Sequence, residues 1–270
     1  MSIVISQNLY LAAASGSALP LTHARIGYQS HLTASVISSS ESGDTGYPLD
    51  NILTTQTFEV FKSTTTNGTV ISIDLLSAQA IDYIAMVGKN ISTYLLYYSI
   101  DGITYTKISE LNDSSKVSKM GLFEETTARY WRLAILGDTN GFNIANLKLG
   151  LSLAMYRPIY GGHAPLTLSR TTIKKPNISE GGEFLGSTVI RKGLNTSYDY
   201  QHLPADWYRQ YFDPFVQHVE SGNTFYMAWR PEDYPLEVGY CLSNSEITPS
   251  NMGVRDLMQV NFSVVGYDAS

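Results

Sequence analysis

Three acidic residues flank two aromatic residues in one proline-rich turn: Glu232, Asp233 and Glu237 lie beside Trp229 and Tyr234. Two carboxylates on either side of a sugar can act as acid and nucleophile in glycoside cleavage, so these residues are the strongest catalytic candidates. All three crowd into a single turn, however, and the solvated tip of a hairpin explains them better. We therefore expect no catalytic residue and no enzymatic activity.

The histidines and glycines form none of the other common catalytic motifs. The five histidines never occur at the spacing of a metal site. The Gly161-Gly162-His163 run could serve an oxyanion loop, but no Gly-x-Ser-x-Gly elbow accompanies it. Residues 181–186 are glycine-rich without the Lys-Ser/Thr of a phosphate loop, so they predict a β-turn or an interface loop. We expect no cofactor and no metal.

Aromatic side chains are the remaining candidates for binding. Exposed tyrosine and tryptophan rings could form a platform for a carbohydrate or for a protein interface. Trp131 has a second interpretation, because Arg129 and Arg132 straddle it and favour cation–π stacking and packing within a sheet. Asp50 and Asn51 could help a calcium or sugar site, but a turn or cap role is favoured. The candidate binding residues are Tyr98, Tyr105, Trp131, Trp229 and Tyr234.

Composition points to a β-rich protein that presents extended surfaces. The chain has 270 residues, 16% of them charged, and it contains 19 tyrosines. Its net charge of −6 is spread evenly over both halves, so there is no basic region for nucleic acid. With Cys241 as the single cysteine, no intramolecular disulfide can form.

The N-terminal residues predict neither secretion nor a membrane span. The first eight residues lack the basic start of a secretory signal. The apolar residues 9–21 are interrupted by serine, glycine and proline and are too short to cross a bilayer. We therefore expect the protein to be made and folded in a cytoplasm.

The first half of the chain predicts a β-sandwich or barrel. Residues 69–75 alternate between apolar and polar, as in a half-buried strand, whereas residues 81–87 are continuously apolar, as in a central strand. Short strands at close spacing, without a long helical pattern, are typical of sandwiches and barrels. Further strands are expected at residues 94–100, 103–108, 129–136 and 144–151.

The second half contains the best helix candidate. Residues 204–221 begin with a proline suited to a first turn, and apolar residues recur along one face. Pro214 lies inside this segment and predicts a kink or two short helices. Strands are expected at residues 225–229, 236–242 and 258–264.

These patterns divide the chain into three parts. Residues 1–45 are small and polar and predict an extended arm that could add a strand to a neighbour. Residues 46–152 predict a jelly-roll β-sandwich. Residues 153–270 predict a β-barrel-like domain with one or two short helices, so the fold class is mainly β.

Two segments of the sandwich carry a family resemblance. Residues 98–105 are similar to the pattern Tyr-Ser-x-Asp-Gly-x-x-Trp, with Tyr105 in place of the tryptophan, and residues 128–133 are similar to Ala-Arg-Tyr-x-Arg-Leu. Both patterns resemble the discoidin, or coagulation factor 5/8 type C, family. Residues 47–53 and 61–63 stand where that family has further motifs. The resemblance covers about residues 45–150 and implies a galactose-binding-like jelly roll.

A second resemblance covers nearly the whole chain. Residues 80–91 are similar to a sequence motif common in tail proteins of tailed bacteriophages, although Lys89 replaces a histidine of that motif. Residues 157–162, 184–186, 213–215, 228–231 and 249–258 resemble the C-terminal part of the same proteins.

This resemblance implies a virion structural protein near the tail tip, of the distal tail type. Such a protein joins the tail tube to the host-recognition apparatus, as a homohexameric ring assembled in the bacterial cytoplasm. Its partners would be copies of itself and the tube, tip or hub, and tape-measure proteins.

Two other functions remain open at this point. The sandwich could be a carbohydrate-binding module that docks a particle on host-surface polysaccharide, or the protein could cleave cell-envelope glycans. The second is the weaker alternative because no acid pair has a convincing position. The sequence does not decide the ring stoichiometry, the neighbouring proteins, the sugar or the host.

Overall fold

The protein folds into two eight-stranded β-sheets, as seen in a computed structural model that describes residues 2–63, 68–113, 117–137, 141–253 and 255–267. Every described strand pair is antiparallel except one parallel pair at the N-terminus. No helix within these ranges is long and apolar enough to cross a membrane. The predicted mainly β fold class is confirmed.

The first sheet has two long central strands. β5 and β8 pair along most of their length, and the order around them is β4-β9-β5-β8-β6-β7, with β1 beside β8 and β3 beside β5. The sheet consists of β1 (Ile3–Ile5), β3 (Ile37–Ser39), β4 (Phe61–Lys62), β5 (Thr69–Lys89), β6 (Ile91–Ser99), β7 (Thr106–Asn112), β8 (Ser118–Gly137) and β9 (Asn143–Gly150).

The second sheet carries the helices of the C-terminal half. Its strand order is β10-β2-β13-β14-β16-β12-β11, with β15 beside β16. Its strands are β2 (Arg25–Gly27), β10 (Leu153–Ala154), β11 (Arg170–Ile178), β12 (Phe184–Pro204), β13 (Phe225–Ala228), β14 (Val238–Ser243), β15 (Pro249–Asn251) and β16 (Leu257–Gly266). The α-helices are α1 (Gln7–Ser15), α2 (Ala205–Trp207) and α3 (Asp213–Glu220).

The two patterns expected within residues 69–87 are confirmed, and both belong to the single strand β5. In its first part, Ile71 and Ile73 point into the hydrophobic core of the first sheet, which we call the sandwich core, while alternate residues are half-buried. In its second part Ile84 enters the same core, whereas Tyr83 and Ala85 enter a different one. The continuous apolar run arises because this part of β5 is buried on both faces.

The second sheet is covered by the predicted helical segment. That segment consists of α2, a π-helical turn over residues 208–212, and α3, with Pro214 in the first turn of α3. The prediction of a kink or two short helices is thus confirmed. Phe212, Phe215 and Val219 pack with strand residues of the second core, including Phe262.

A third hydrophobic core joins the two sheets. Tyr83 of β5 and Leu122 of β8 pack there with Tyr226 of β13 and Tyr240 of β14. Gly27 permits this contact, because a Cβ atom at that position would lie 2.5 Å from the Tyr83 ring. Two phenols also hydrogen-bond across the junction: the Tyr226 hydroxyl donates to the Asn146 side-chain oxygen at 2.9 Å, and the Tyr240 hydroxyl to the Thr55 carbonyl at 3.0 Å.

The N-terminal segment is not an extended arm. It contributes β1 and β3 to the first sheet and β2 to the second, and it also forms α1. Ser6 caps α1, and Gly16 ends it with a φ of +80°. Residues 31–36, which alternate in sequence, are not a strand. The prediction failed because short segments of this part gain their partners only from distant strands.

Asp82 connects β5 to the crossover into the second sheet. Its carboxylate accepts hydrogen bonds from the Ser152 backbone N–H at 2.6 Å and the Ser152 hydroxyl at 2.8 Å. Burial raises the pKa of Asp82 from its ordinary 3.8 to about 7, against the opposing effects of Ser152 and Arg25. Between pH 3.8 and about 7, Asp82 is therefore protonated in the folded protein and ionised in the unfolded chain.

We predict that this group makes folding less favourable as pH rises from about 4 to 7, because the unfolded state then binds fewer protons than the folded state. Replacement of Asp82 by Asn removes that dependence. Urea midpoints at several pH values measure it: relative to the variant, the wild type should lose stability across this window. The control variant is Asp206→Asn, which removes an exposed carboxylate. Parallel curves for wild type and Asp82→Asn would contradict the assignment.

Candidate functional site

The carboxylates of the proline-rich turn are engaged in holding the turn and its neighbours. Glu237 accepts a hydrogen bond from the Trp229 indole N–H. Asp233 forms an ion pair with Arg230 at 2.8 Å, and Glu232 accepts from the Tyr10 hydroxyl at 3.0 Å. Each carboxylate thus has a structural partner, which supports the hairpin-tip interpretation.

The two aromatic candidates in this turn cover each other. The Trp229 and Tyr234 rings stack at 4.9 Å with an interplanar angle of 11°. Trp229 also meets the His163 ring edge-on at 4.8 Å. Neither nitrogen of His163 has a described hydrogen-bond partner, and burial lowers its pKa. Within the described ranges no group of three or more His, Cys, Asp or Glu could hold a metal ion.

Trp131 is a core residue and offers no ring to a ligand. Its side chain is 0% exposed and lies against Tyr98 at 5.9 Å and Phe123 at 6.0 Å between ring centroids. Its indole N–H donates to the Ala128 carbonyl at 3.3 Å. Burial therefore excludes the sugar-platform alternative for this residue and agrees with the packing interpretation.

The arginines on either side of Trp131 have separate partners. Arg129 forms two hydrogen bonds with the carboxylate of Asp74, at 2.6 and 2.9 Å. The Arg132 guanidinium lies over the Tyr105 ring, 3.7 Å from its centroid. One face of Tyr105 is therefore covered. Tyr98 is half-buried against Trp131 and lines a depression, which makes it the candidate of the first sheet.

The turn before Tyr105 is longer than the sequence suggests. The strand predicted over residues 103–108 was wrong at its start, since β7 begins only at Thr106. The Asp101 carboxylate accepts hydrogen bonds from the backbone N–H groups of Ile103 and Thr104, both at 2.8 Å. These side-chain hydrogen bonds hold a loop where strand pairing was expected. Asn51 also has a turn role, because its amide donates to the Val60 carbonyl at 2.9 Å.

Tyr98 lines a groove where the N-terminal segment crosses the sandwich. We call it the Tyr98 groove; it comprises two adjoining depressions of about 270 and 260 Å³ that share Ser6, Lys107 and Ile108. The first depression is lined by Ser6, Gln7, Asn8, Tyr98, Thr106, Lys107, Ile108, Glu124 and Thr126. The second adds Val4, Ser109 and Glu110.

The groove combines an aromatic ring with open polar groups. Among the described residues, the side chains of Gln7, Asn8 and Glu124 have no hydrogen-bond partner in the protein. Lys107 and Glu110 form an ion pair at 2.6 Å, which raises the pKa of the lysine and lowers that of the glutamate. The free amides can donate and accept, whereas the free carboxylate can only accept.

Sequence reasoning found one member of this groove and missed the others. Tyr98 was predicted from its motif, but Gln7, Asn8 and Glu124 come from segments far apart in the chain. Parallel pairing of β1 with β8 brings them together, with Ile3 opposite Met120. The alternation of Ile3 and Ile5 with polar residues was the one available signal, and it did not reveal the partner strand.

One family model matches the part of the chain that contributes Tyr98 and Glu124 to the groove. Residues 35–148 match the model of the F5/8 type C domain. This part of the chain therefore has a discoidin-like β-sandwich fold, as the motif resemblance implied. No curated protein matches the chain. The match includes no strand of the second sheet, and the resemblance to phage tail proteins stays a prediction.

Several solved structures are similar to a part of the chain. One is chitosan-binding module 1 of a chitosanase/glucanase from Paenibacillus sp. IK-5, with 15% identity over 45% of this chain and 98% of that one and a TM-score of 0.41. A second is CpGH89CBM32-5 of Clostridium perfringens in complex with GalNAc-β-1,3-galactose, with 22% identity, coverages of 43% and 94% and a TM-score of 0.39. A third is a pectin-binding carbohydrate-binding module, with 20% identity, coverages of 48% and 96% and a TM-score of 0.39.

We predict that Trp131→Ala lowers the free energy of unfolding by about 3–5 kcal/mol, because it removes a buried ring and leaves a cavity. Urea denaturation measures this change. Ile103→Ala truncates an 84% exposed side chain and should leave stability nearly unchanged. A loss below about 1 kcal/mol in Trp131→Ala would show that the site is not packed as described.

Proposed function

We propose that the discoidin-like domain is a carbohydrate-binding module and that the Tyr98 groove is its sugar site. The observation that carries the proposal is the groove itself, in which an aromatic ring lies beside the open polar groups of Gln7, Asn8 and Glu124. Ligand sites typically combine an apolar or aromatic wall with a few polar groups that fix orientation.

The chemistry of the groove suits a neutral sugar. A pyranose ring has apolar C–H faces and a rim of hydroxyl groups, so it can pack on Tyr98 while its hydroxyls hydrogen-bond to the amides. Glu124 is an acceptor without a cationic partner, and it would repel an acidic sugar while accepting from a hydroxyl. The Lys107–Glu110 pair neutralises itself at the other end of the groove.

We predict that Tyr98→Ala weakens binding of neutral glycans at least tenfold, about 1.4 kcal/mol, since the apolar wall is lost. A glycan array followed by calorimetry with the strongest neutral binder measures this. Glu124→Gln should weaken binding without loss of fold, because an amide accepts hydrogen bonds less strongly than a carboxylate. Tyr160→Ala is the matched control, because it removes an exposed tyrosine ring that does not line the groove.

Two results would refute this site. One is wild-type protein that binds no glycan on the array. The other is a Tyr98→Ala or Glu124→Gln variant with native circular dichroism and unchanged affinity, which would move any sugar site elsewhere on the protein.

A second candidate function is assembly into a larger structure, and a specific feature favours it. The hairpin arm, which we define as residues 170–193, contains β11 and the first part of β12 and is exposed along almost its whole length. Gly182, with a φ of +84°, turns the chain at its tip. Large apolar side chains are exposed on the arm at Ile173, Ile178, Phe184, Leu185, Val189 and Ile190. Six exposed large apolar side chains gathered on one hairpin favour an interaction site.

Charge separation favours a second copy of the chain as the partner of this arm. The arm contains five lysines and arginines but two glutamates, a net charge of +3 on a chain of net −6, which leaves −9 on the remainder. Two arms therefore repel each other, whereas an arm and the body of another copy attract. A contact between unlike surfaces is heterologous, and such contacts form closed rings or open filaments.

This arrangement supports the interpretation of the chain as a ring-forming component of a phage tail, with tube, tip and tape-measure proteins as further partners. The six-subunit stoichiometry rests on the sequence resemblance alone. Detection of the protein in purified virions tests the tail assignment separately. Absence from virions while self-assembly persists would contradict the tail role.

We predict that the double substitution Phe184→Ser and Leu185→Ser prevents self-association, because it removes the exposed apolar tip of the arm. Native mass spectrometry and light scattering over a range of concentrations measure the oligomer. Ile100→Ser with Ile103→Ser removes equally exposed apolar side chains from the sandwich and should leave assembly intact. A wild type that is monomeric at every concentration, or a variant that assembles like wild type, would contradict this role.

A further inference from the structure

A cleft opens between the two sheets, and its described lining contains no acidic residue. Its volume is about 480 Å³. The first sheet contributes Lys148 of β9, the helical side contributes His218 and Asn223, and the connection from β2 contributes Gln29 and His31. None of the described residues that line it is aspartate or glutamate, although the chain as a whole is acidic.

Lys148 is a buried cation at this cleft without a counter-ion. Its ammonium donates to the Tyr28 carbonyl at 3.2 Å and to the Thr224 carbonyl. An ammonium group has three N–H donors, so one remains after these two bonds. Burial lowers the pKa of Lys148, and no carboxylate of the described residues opposes that effect by stabilising the charge. A buried charge without an ionic partner is costly, and an anion in the cleft would remove that cost.

The other polar groups of the cleft are also suited to an anion. Among the described residues, the His31 ring and the Asn223 amide have no hydrogen-bond partner in the protein. His218 donates its Nε2–H to the Thr224 carbonyl at 3.0 Å, which fixes the ring. In the neutral imidazole Nδ1 is then an acceptor, so His218 can donate to an anion only when its ring is protonated. The Lys148 ammonium, the His31 imidazole and the Asn223 amide around one space still form a donor-rich site.

We propose that this cleft binds a small oxyanion, either the carboxylate of an acidic sugar or a phosphate group, with Lys148 as its principal contact. The proposal is independent of the Tyr98 groove, whose open carboxylate suits neutral sugars. Charge-assisted hydrogen bonds to carboxylate or phosphate are about twice as strong as neutral ones, so Lys148 would dominate the affinity. His31 and Asn223 would hold the remaining oxygens.

The titration of the cleft gives the proposal a pH dependence. Burial lowers the pKa of Lys148 to about 8, and it lowers those of His31 and His218 below their ordinary value. The fourth titratable side chain that lines the cleft is Tyr28, whose pKa burial raises, so it stays neutral in this range. Oxyanion affinity should therefore fall as pH rises through about 8, since the ammonium loses its proton.

Calorimetry with the full chain at low ionic strength tests the site, with galacturonate, inorganic phosphate and neutral galactose as probes. We expect galacturonate or phosphate to bind and Lys148→Met to weaken that binding at least tenfold, in keeping with loss of a charge-assisted hydrogen bond. Binding of galacturonate alone would identify an acidic sugar, and binding of phosphate alone a phosphate ligand. Lys192→Met on the hairpin arm removes the same charge from an exposed position and should not change affinity.

Asn223→Asp provides a variant that retains Lys148 and its carbonyl bonds. A carboxylate placed in the cleft should abolish oxyanion binding by repulsion, even if Lys148→Met fails to fold. The proposal is overturned if neither anion binds, if galactose competes equally with galacturonate, or if a folded Asn223→Asp protein binds oxyanions like wild type.

Discussion

The packing of β5 against β13 and β14 is the contact on which the rest of the structure depends. One face of the second part of β5 fills the sandwich core, and the other face meets Tyr226 and Tyr240 of the second sheet. The two sheets therefore do not have independent interiors. A substitution at Tyr83 or Gly27 affects both sheets, because it changes the surface that they share.

Both candidate binding sites depend on this junction. The N-terminal segment pairs with β8 of the first sheet, while its Ile3 N–H donates to the Pro235 carbonyl in the turn between β13 and β14 of the second sheet. That anchorage fixes the wall of the Tyr98 groove. The cleft of Lys148 lies at the same junction, because its ammonium donates to carbonyls on the second-sheet side. Rigid support of this kind is what a binding site needs to hold its polar groups in place.

The sequence was most informative where pattern and local chemistry agree. The alternation around Ile71, the apolar run around Ile84 and the Pro214 interruption predicted the strands and the broken helix, since burial dictates those residue types. The motif containing Tyr98 predicted the discoidin-like domain. The helix α1, the groove partners Gln7 and Glu124, and the role of Lys148 were not predictable, because each depends on contacts between distant segments. The tail assignment and the absence of catalysis remain predictions.

The central claim is that the discoidin-like domain binds a neutral sugar at the Tyr98 groove. The most direct measurement is amide chemical-shift mapping of the isotope-labelled full chain during titration with galactose-terminated oligosaccharides. The account predicts that the shifts cluster at Gln7, Asn8, Tyr98, Thr106 and Glu124 and leave the hairpin arm unchanged. Shifts confined to another surface, or none at saturating sugar, would contradict it.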